Sequence, residues 1–266
     1  MYPNGVETFK MAAVPPPGTY LLLHGFQMRA DALTDNQGRT VPVDFRLRAT
    51  GVMARVVSVI PGQILGGQPV VHLIAPLMNL DVRMGGGSQS KTGLGDITLG
   101  AGLGYHPLPN LHTVVAFNVF APTGQYNKDN LANIGRNYWS AMPLLGVSYS
   151  QRSGLNADLQ VMYNFNSRNK DTQYRSGQEF HADFALGWGF GNGWAAGVAG
   201  YAYRQTTDDT QSGEVLPGHR GRSMALGPTV MFDAGHWHVT AKYQKDFSVS
   251  NRARGDALFA KVVMAF

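Results

Sequence analysis

The polar and apolar positions of this chain alternate with a period of two over most of its length. Counting back from the carboxyl terminus gives Phe266, Met264, Val262, Ala260 and Leu258 on one face, and Ala265, Val263, Lys261 and Phe259 on the other. Period two is the signature of a strand, because successive side chains point to opposite faces. The same reading predicts twelve strands, at 18–30, 42–60, 63–83, 92–106, 110–121, 136–150, 154–166, 178–190, 193–205, 220–233, 236–248 and 252–266. In the seventh, Leu155, Ala157, Leu159, Val161, Tyr163 and Phe165 alternate with Asn156, Asp158, Gln160, Met162 and Asn164. In the eighth, Phe180, Ala182, Phe184, Leu186, Trp188 and Phe190 alternate with His181, Asp183, Ala185, Gly187 and Gly189. In the eleventh, Trp237, Val239, Ala241 and Tyr243 oppose His238, Thr240, Lys242 and Gln244.

The connections alternate as well. Those after even-numbered strands are tight: Pro61-Gly62, Pro107-Leu108-Pro109, Gln151-Arg152-Ser153, Gly191-Asn192 and Ala234-Gly235. Those after odd-numbered strands are long and polar, such as 122–135, 167–177 and 206–219. Short periplasmic turns and long outer loops are the asymmetry of transmembrane barrels, and an aromatic final residue fits such a barrel. The expected fold is therefore all-β: a 12-stranded antiparallel transmembrane β-barrel of the outer membrane, covering residues 18–266, with both termini on the periplasmic side. An apolar last strand in a soluble sheet is the competing reading of the carboxyl end alone. With the apolar faces turned to lipid, Tyr105, Tyr149, Phe190, Trp194, Trp237 and Phe266 fall in a periplasmic girdle. Trp139, Tyr163, Phe165, Phe180 and Phe247 fall in an outer one.

The second strand resists this pattern. If Asp44, Arg46 and Arg48 face inward, the same register turns Arg55 to lipid. A charge there costs up to about 2–4 kcal/mol at the bilayer midplane. A β-bulge or register change between Thr50 and Arg55 is therefore expected.

Composition narrows the class. The most apolar stretch, Val70 to Met78, is far shorter than the roughly 18–20 residues of a membrane helix, so spanning must be by strands. The absence of cysteine fits an envelope protein that needs no disulfide. A net charge of +5 without clustered Lys/Arg argues against nucleic acid as a partner. Met1-Tyr2-Pro3-Asn4 reads as a mature amino terminus with an added initiator, the secretory signal having been removed.

Twelve strands leave a lumen between the filled interior of eight and the open channel of sixteen. Inward charges gather in its outer half: Asp44, Arg46, Arg48, Asp96, Asp183, Lys242 and Asp246, with Arg220 and Arg222 near the rim. They are the candidate pore-lining and constriction residues. They would either sort solutes by charge and size or pair with one another and stiffen the wall. The periplasmic half collects small residues, Gly100, Gly102 and Gly104 on one strand and Ala185, Gly187 and Gly189 on another. That space suits the segment 1–17, stiffened by Pro15-Pro16-Pro17, as a lumen plug. The alternative is a tail across the periplasmic mouth or a disordered one.

No catalytic or metal constellation emerges, and no cofactor is implied. His236 and His238 share a face but lack a third ligand. Ser140 and Ser148 lack an outward histidine of the kind a lipid hydrolase needs. Asp96 and Asp183 are expected to pair with Arg46 or Arg48. Gly85-Gly86-Gly87 reads as a flexible outer loop.

Several stretches carry a family likeness. They are Gly93-Leu94-Gly95-Asp96, Phe120-Ala121-Pro122-Thr123-Gly124, 131–140 (LANIGRNYWS), 174–183 (YRSGQEFHAD), 205–209 (QTTDD), Gly221-Arg222 and Ala225-Leu226-Gly227-Pro228. Together they resemble the outer-membrane channel family described as the meta-pathway of phenol degradation, over most of the chain. That resemblance implies a monomeric channel, surrounded by outer-membrane lipids, for passive uptake of small-molecule solutes, hydrophobic or aromatic ones among them. Asn133 and Arg136, then Tyr174, Arg175 and Glu179, lie where long outer loops re-enter the wall. They are candidates for ordering those loops. The competing functions are an outer-membrane lipid-processing enzyme and a structural barrel without a continuous pore.

Overall fold

The computed structural model describes residues 2–265. The strands are β1 (Gly18–Leu33), β2 (Phe45–Val59), β3 (Gln68–Met84), β4 (Gly87–Leu94), β5 (Thr98–Leu108), β6 (Leu111–Phe120), β7 (Ser140–Ser150) and β8 (Ser153–Asn166). They continue with β9 (Tyr174–Arg175), β10 (Glu179–Phe190), β11 (Trp194–Gln205), β12 (Asp209–Gln211) and β13 (Glu214–Leu216). The last are β14 (Arg222–Asp233), β15 (Trp237–Ser250) and β16 (Ala253–Ala265). One sheet runs β2-β1-β16-β15-β14-β11-β10-β8-β7-β6-β5-β3-β4, and pairing of β2 with β3 closes it. The strands β4 and β5 are two halves of one stave, since both pair with β3. The result is a closed antiparallel barrel of twelve staves. The first stave pairs with the last, Tyr20 opposite Ala265, so both ends of the barrel chain lie at one rim. Closure matters because an open edge would leave N–H and C=O groups without partners in lipid.

The faces follow the alternation. Along β8 every residue from Gly154 to Asn166 at an even position is buried, while Leu155, Leu159 and Phe165 are exposed. The outward set includes Val56, Leu73, Leu99, Phe117, Leu145, Leu186, Val198, Leu226 and Leu258, all exposed. An apolar outside over a polar, buried inside is stable only in hydrocarbon. The girdles appear too. Phe190, Trp194 and Trp237 are exposed at the periplasmic end, where Phe232 stacks between Trp194 and Trp237 at 4.9 and 5.7 Å. Trp139, Phe165 and Phe247 are exposed at the other end. Phe266 lies outside the described residues.

The second stave corrects the sequence reading. Its pairing to β1 and β3 is unbroken, so no bulge separates Thr50 from Arg55. Odd positions face inward: Phe45, Ala49, Met53, Val57 and Val59 are buried. Arg55 therefore faces the lumen, whereas Arg46 and Arg48 are exposed on the outside. Asp44 is exposed in the loop before the stave. Arg46 sits one residue below the pair Phe45–Met84, beside the hairpin turn, at the outer end of the wall. The cost of an outward charge falls to about 0–1 kcal/mol near the interface, so charge alone does not fix the face there.

Two outer connections are also shorter than expected. Gly85 and Gly86, both at positive φ, make a tight turn between β3 and β4 in place of a flexible loop. Asn251 and Arg252 alone join β15 to β16. The long outer loops 121–139, 167–178 and 206–221 remain, and two of them supply a small sheet of β9, β12 and β13.

Val198, exposed and mid-strand between Leu186 and Pro228, tests the orientation of the wall. Val198→Arg is expected to lower folding stability in lipid vesicles by about 2–4 kcal/mol, while Arg48→Leu shifts it by under about 1 kcal/mol. Equilibrium unfolding in urea, followed by tryptophan fluorescence, measures both.

Candidate functional site in the barrel lumen

The amino-terminal segment runs among the inward-facing side chains. Its donors meet wall acids. Gly5 N and Glu7 N donate to Asp183 at 2.9 and 3.2 Å, and the Tyr2 hydroxyl donates to the same carboxylate at 2.6 Å. Met11 N donates to Asp158 and Ala12 N to Ser148, at 3.0 and 2.8 Å. Its acceptors meet wall donors. Lys242 Nζ donates to Gly5 O and, at 3.0 Å, to Glu7 O, and Gln244 Nε2 donates to Asn4 O at 3.1 Å. The Glu7 carboxylate lies 2.8 Å from Lys261 Nζ and 3.4 Å from an Arg55 nitrogen. Lys10 pairs with Asp233 nearer the periplasmic end, and the Tyr20 hydroxyl donates to Pro16 O where the chain enters β1.

The small inward residues make this possible. Phe9 is fully buried against Ala185, Ala195, Ala199 and Met231. A Cβ on Gly187 would sit 2.6 Å from the Phe9 ring, and one on Gly104 would sit 2.5 Å from Val14. Those glycines are what the segment packs against.

Burial disfavours an ionised Glu7, but Lys261, His24 and Arg55 outweigh it and hold the carboxylate well below the ordinary glutamate range.

Two cavities flank the segment. The periplasmic one, about 740 Å³, is lined in part by Lys10, Val14, His112, Trp194 and His238. The outer one, about 680 Å³, has an apolar side of Phe26, Met28, Leu47, Met53, Ile74 and Met78. Its polar side includes Asp96, Asn133, Arg136, Tyr201, Asp246 and Arg252. Glu7, Arg55, His72, Leu144 and Gln160 line both. These five mark the waist between them.

The residues singled out from sequence divide into three groups. Asp183 and Lys242 are at the lumen centre and hold the amino-terminal segment. Asp246 lines the outer cavity, accepting from the Tyr201 hydroxyl at 2.8 Å and from Gly255 N at 3.0 Å. Asp96 is buried where β4 breaks to β5, and accepts Gly124 N and Arg136 N, both at 3.0 Å. That contact draws the loop 121–139 inward. Neither Asp96 nor Asp183 pairs with Arg46 or Arg48, because those arginines face out. Arg222 is exposed on the outside and donates to Ser250 at 2.9 Å, so it does not line the lumen either. Four of the loop candidates bond within a loop or tie one to the wall, whereas Glu179 bonds a wall residue. Asn133 accepts Asn127 N, Arg136 donates to the Tyr138 hydroxyl, and Tyr174 bonds Asp209. Arg175 donates to Asn166 O, and the buried Glu179 accepts from Tyr203 at 2.9 Å. Sequence reading missed Glu7, Arg55 and Lys261 as a group. Two of them carried a signal: Lys261 is a charge on the inward face of an otherwise apolar last strand, and Arg55 is a charge that the assumed register of the second strand would have turned to lipid.

Phe9→Ala is expected to weaken docking of the segment by about 3–5 kcal/mol, the usual cost of emptying a buried aromatic site. Gly187→Val should act likewise by overpacking. Limited proteolysis within residues 2–17 reads both, with Arg48→Leu unchanged. A carboxylate with a lowered pKa contributes stability that is present above its ordinary value and lost as pH falls through the lowered one. Docking is therefore expected to persist from neutral pH down to about 4 and to fail only in stronger acid. The pH dependence of the same cleavage checks it.

Comparison with known proteins agrees with this architecture. An outer membrane channel from Pseudomonas putida F1 superimposes with a TM-score of 0.87 at 18% identity, covering 97% of this chain and 98% of that one. The beta domain of the Bordetella autotransporter BrkA gives 0.53 at 13% identity, covering 94% and 100%. The translocator domain of autotransporter NalP from Neisseria meningitidis gives 0.53 at 10% identity, covering 96% and 91%. At these identities the likeness is one of fold. No curated protein sequence matches the chain. The sequence profile described as "Putative MetA-pathway of phenol degradation" matches residues 30–262, and the chain belongs to that family.

Proposed function

We propose that this protein is an outer-membrane channel for passive diffusion of small molecules, hydrophobic or aromatic compounds among them, with residues 2–17 acting as a plug. The observation that carries the reading is the pair of cavities, of about 740 and 680 Å³, meeting at a waist formed partly by Glu7 of the segment itself. A waist closed by a non-covalently held segment opens if that segment withdraws, and flux then follows the concentration gradient. Family membership and the fold of the Pseudomonas putida F1 channel support the same conclusion. The apolar surface around the wall suits lipid on all sides, and hence a monomer in a bacterial outer membrane.

A channel fits better than a lipid-processing enzyme. Ser140 and Ser148 are buried in the wall's inner face, bonded to Asn166 and Asp158. Neither hydroxyl reaches the outer lipid surface where an acyl chain would present its ester. The loop contacts of Asn133, Arg136, Tyr174 and Arg175 support a role in holding the outer vestibule open at a fixed size.

Liposome swelling with a graded series of small solutes tests the reading. The full chain is expected to admit small solutes slowly, and the chain lacking residues 2–17 to admit them several-fold faster. Vesicles that stay impermeable with both proteins would leave a structural barrel as the better account.

A further inference from the structure

Three cations surround Glu7, and among the described residues no wall carboxylate pairs with Arg55 or Lys261. Arg55 on β2 and Lys261 on β16 have Glu7 as their ion-pair partner among the described residues. Lys242 on β15 donates to the carbonyls of Gly5 and Glu7. Lys242 and Lys261 are 2% and 5% exposed, so neither charge is answered by bulk water. The nearby wall acids are already turned to the segment's donors: Asp183 to Gly5 N, Glu7 N and Tyr2, and Asp158 to Met11 N. A buried cation without a counter-charge is strongly unfavourable. When the segment leaves, Arg55 and Lys261 lose their carboxylate partner, and an anionic group from the lumen can take its place.

Resting on the channel reading, we propose that Arg55, Lys242 and Lys261 form an anion-binding station, which Glu7 occupies in the resting protein in place of the solute. The solute it takes is a small organic anion with an apolar body. A carboxylate bonds Lys261 and Arg55 as the Glu7 carboxylate does, at 2.8 and 3.4 Å. The body lies in the outer cavity against Phe26, Met53, Ile74 and Met78. Solute and segment compete for the same cations, so an arriving carboxylate also weakens the hold on the plug. His24, buried in the same cavity with neither ring nitrogen bonded, supplies one further polar contact within reach of the station.

Planar-bilayer recordings under a potassium chloride gradient test this, with added benzoate or benzyltrimethylammonium as matched aromatic ions of opposite charge. Glu7→Gln keeps the side-chain shape and removes the charge. It is expected to raise conductance several-fold and give reversal potentials of the anion-preferring sign. Glu7→Asp should restore the resting behaviour. Adding Lys261→Gln or Arg55→Gln to Glu7→Gln should lower the anion preference several-fold. Benzoate, and not benzyltrimethylammonium, should carry current and open the full-length protein. Open Glu7→Gln channels with no charge preference, or equal passage of the two aromatic ions, would overturn the anion station and leave the channel intact. Silence from every variant, once proteolysis shows the barrels folded, would overturn both.

Discussion

The constraint behind this structure is that a backbone in hydrocarbon must satisfy its own hydrogen bonds. A chain without long apolar helices meets it by closing a sheet, which here means pairing β1 with β16. Closure fixes which face each residue takes, because period-two alternation cannot be escaped without a bulge. Leucines, valines and tryptophans then face lipid, and asparagines, aspartates and lysines face an enclosed space.

An enclosed polar space brings its own difficulty. Twelve staves leave more room than wall side chains fill. In the periplasmic half a patch of the wall is glycine and alanine, so the room there is larger still. The amino-terminal segment occupies it with its own hydrogen-bonding groups. Wall acids take its N–H groups, wall cations take its carbonyls and its one deeply placed carboxylate, and Phe9 lies on the glycine-alanine patch. Most of the charged groups at the centre of the lumen are thus satisfied by residues close to the amino terminus, more than a hundred positions away in sequence. These contacts tie the segment to staves on several sides of the lumen.

The candidate site was legible only in part. Asp183, Lys242 and Asp246 were found because each sits on a clean alternating strand whose other face is apolar. Arg46, Arg48 and Arg222 were misplaced because they lie at the outer ends of staves, where either face is tolerable for a guanidinium. Assigning the first two inward forced Arg55 outward and called for a bulge that does not exist. The break between β4 and β5 was invisible for another reason. Asp96 at that break bonds a loop 28 and 40 residues on, and no local pattern encodes that.

The sequence by itself determined the strand period, the twelve staves, the direction of the apolar face and the aromatic girdles. All of these are local, repeated many times along the chain, and enforced by one solvent. It also carried the family likeness in its loop-flanking motifs. Only the tertiary structure decided that Glu7 meets Arg55 and Lys261, that Phe9 rests on Gly187, and that two cavities share a waist. Those depend on the path of a segment with no period of its own, and its position is fixed by complementary charges gathered from staves distant in sequence.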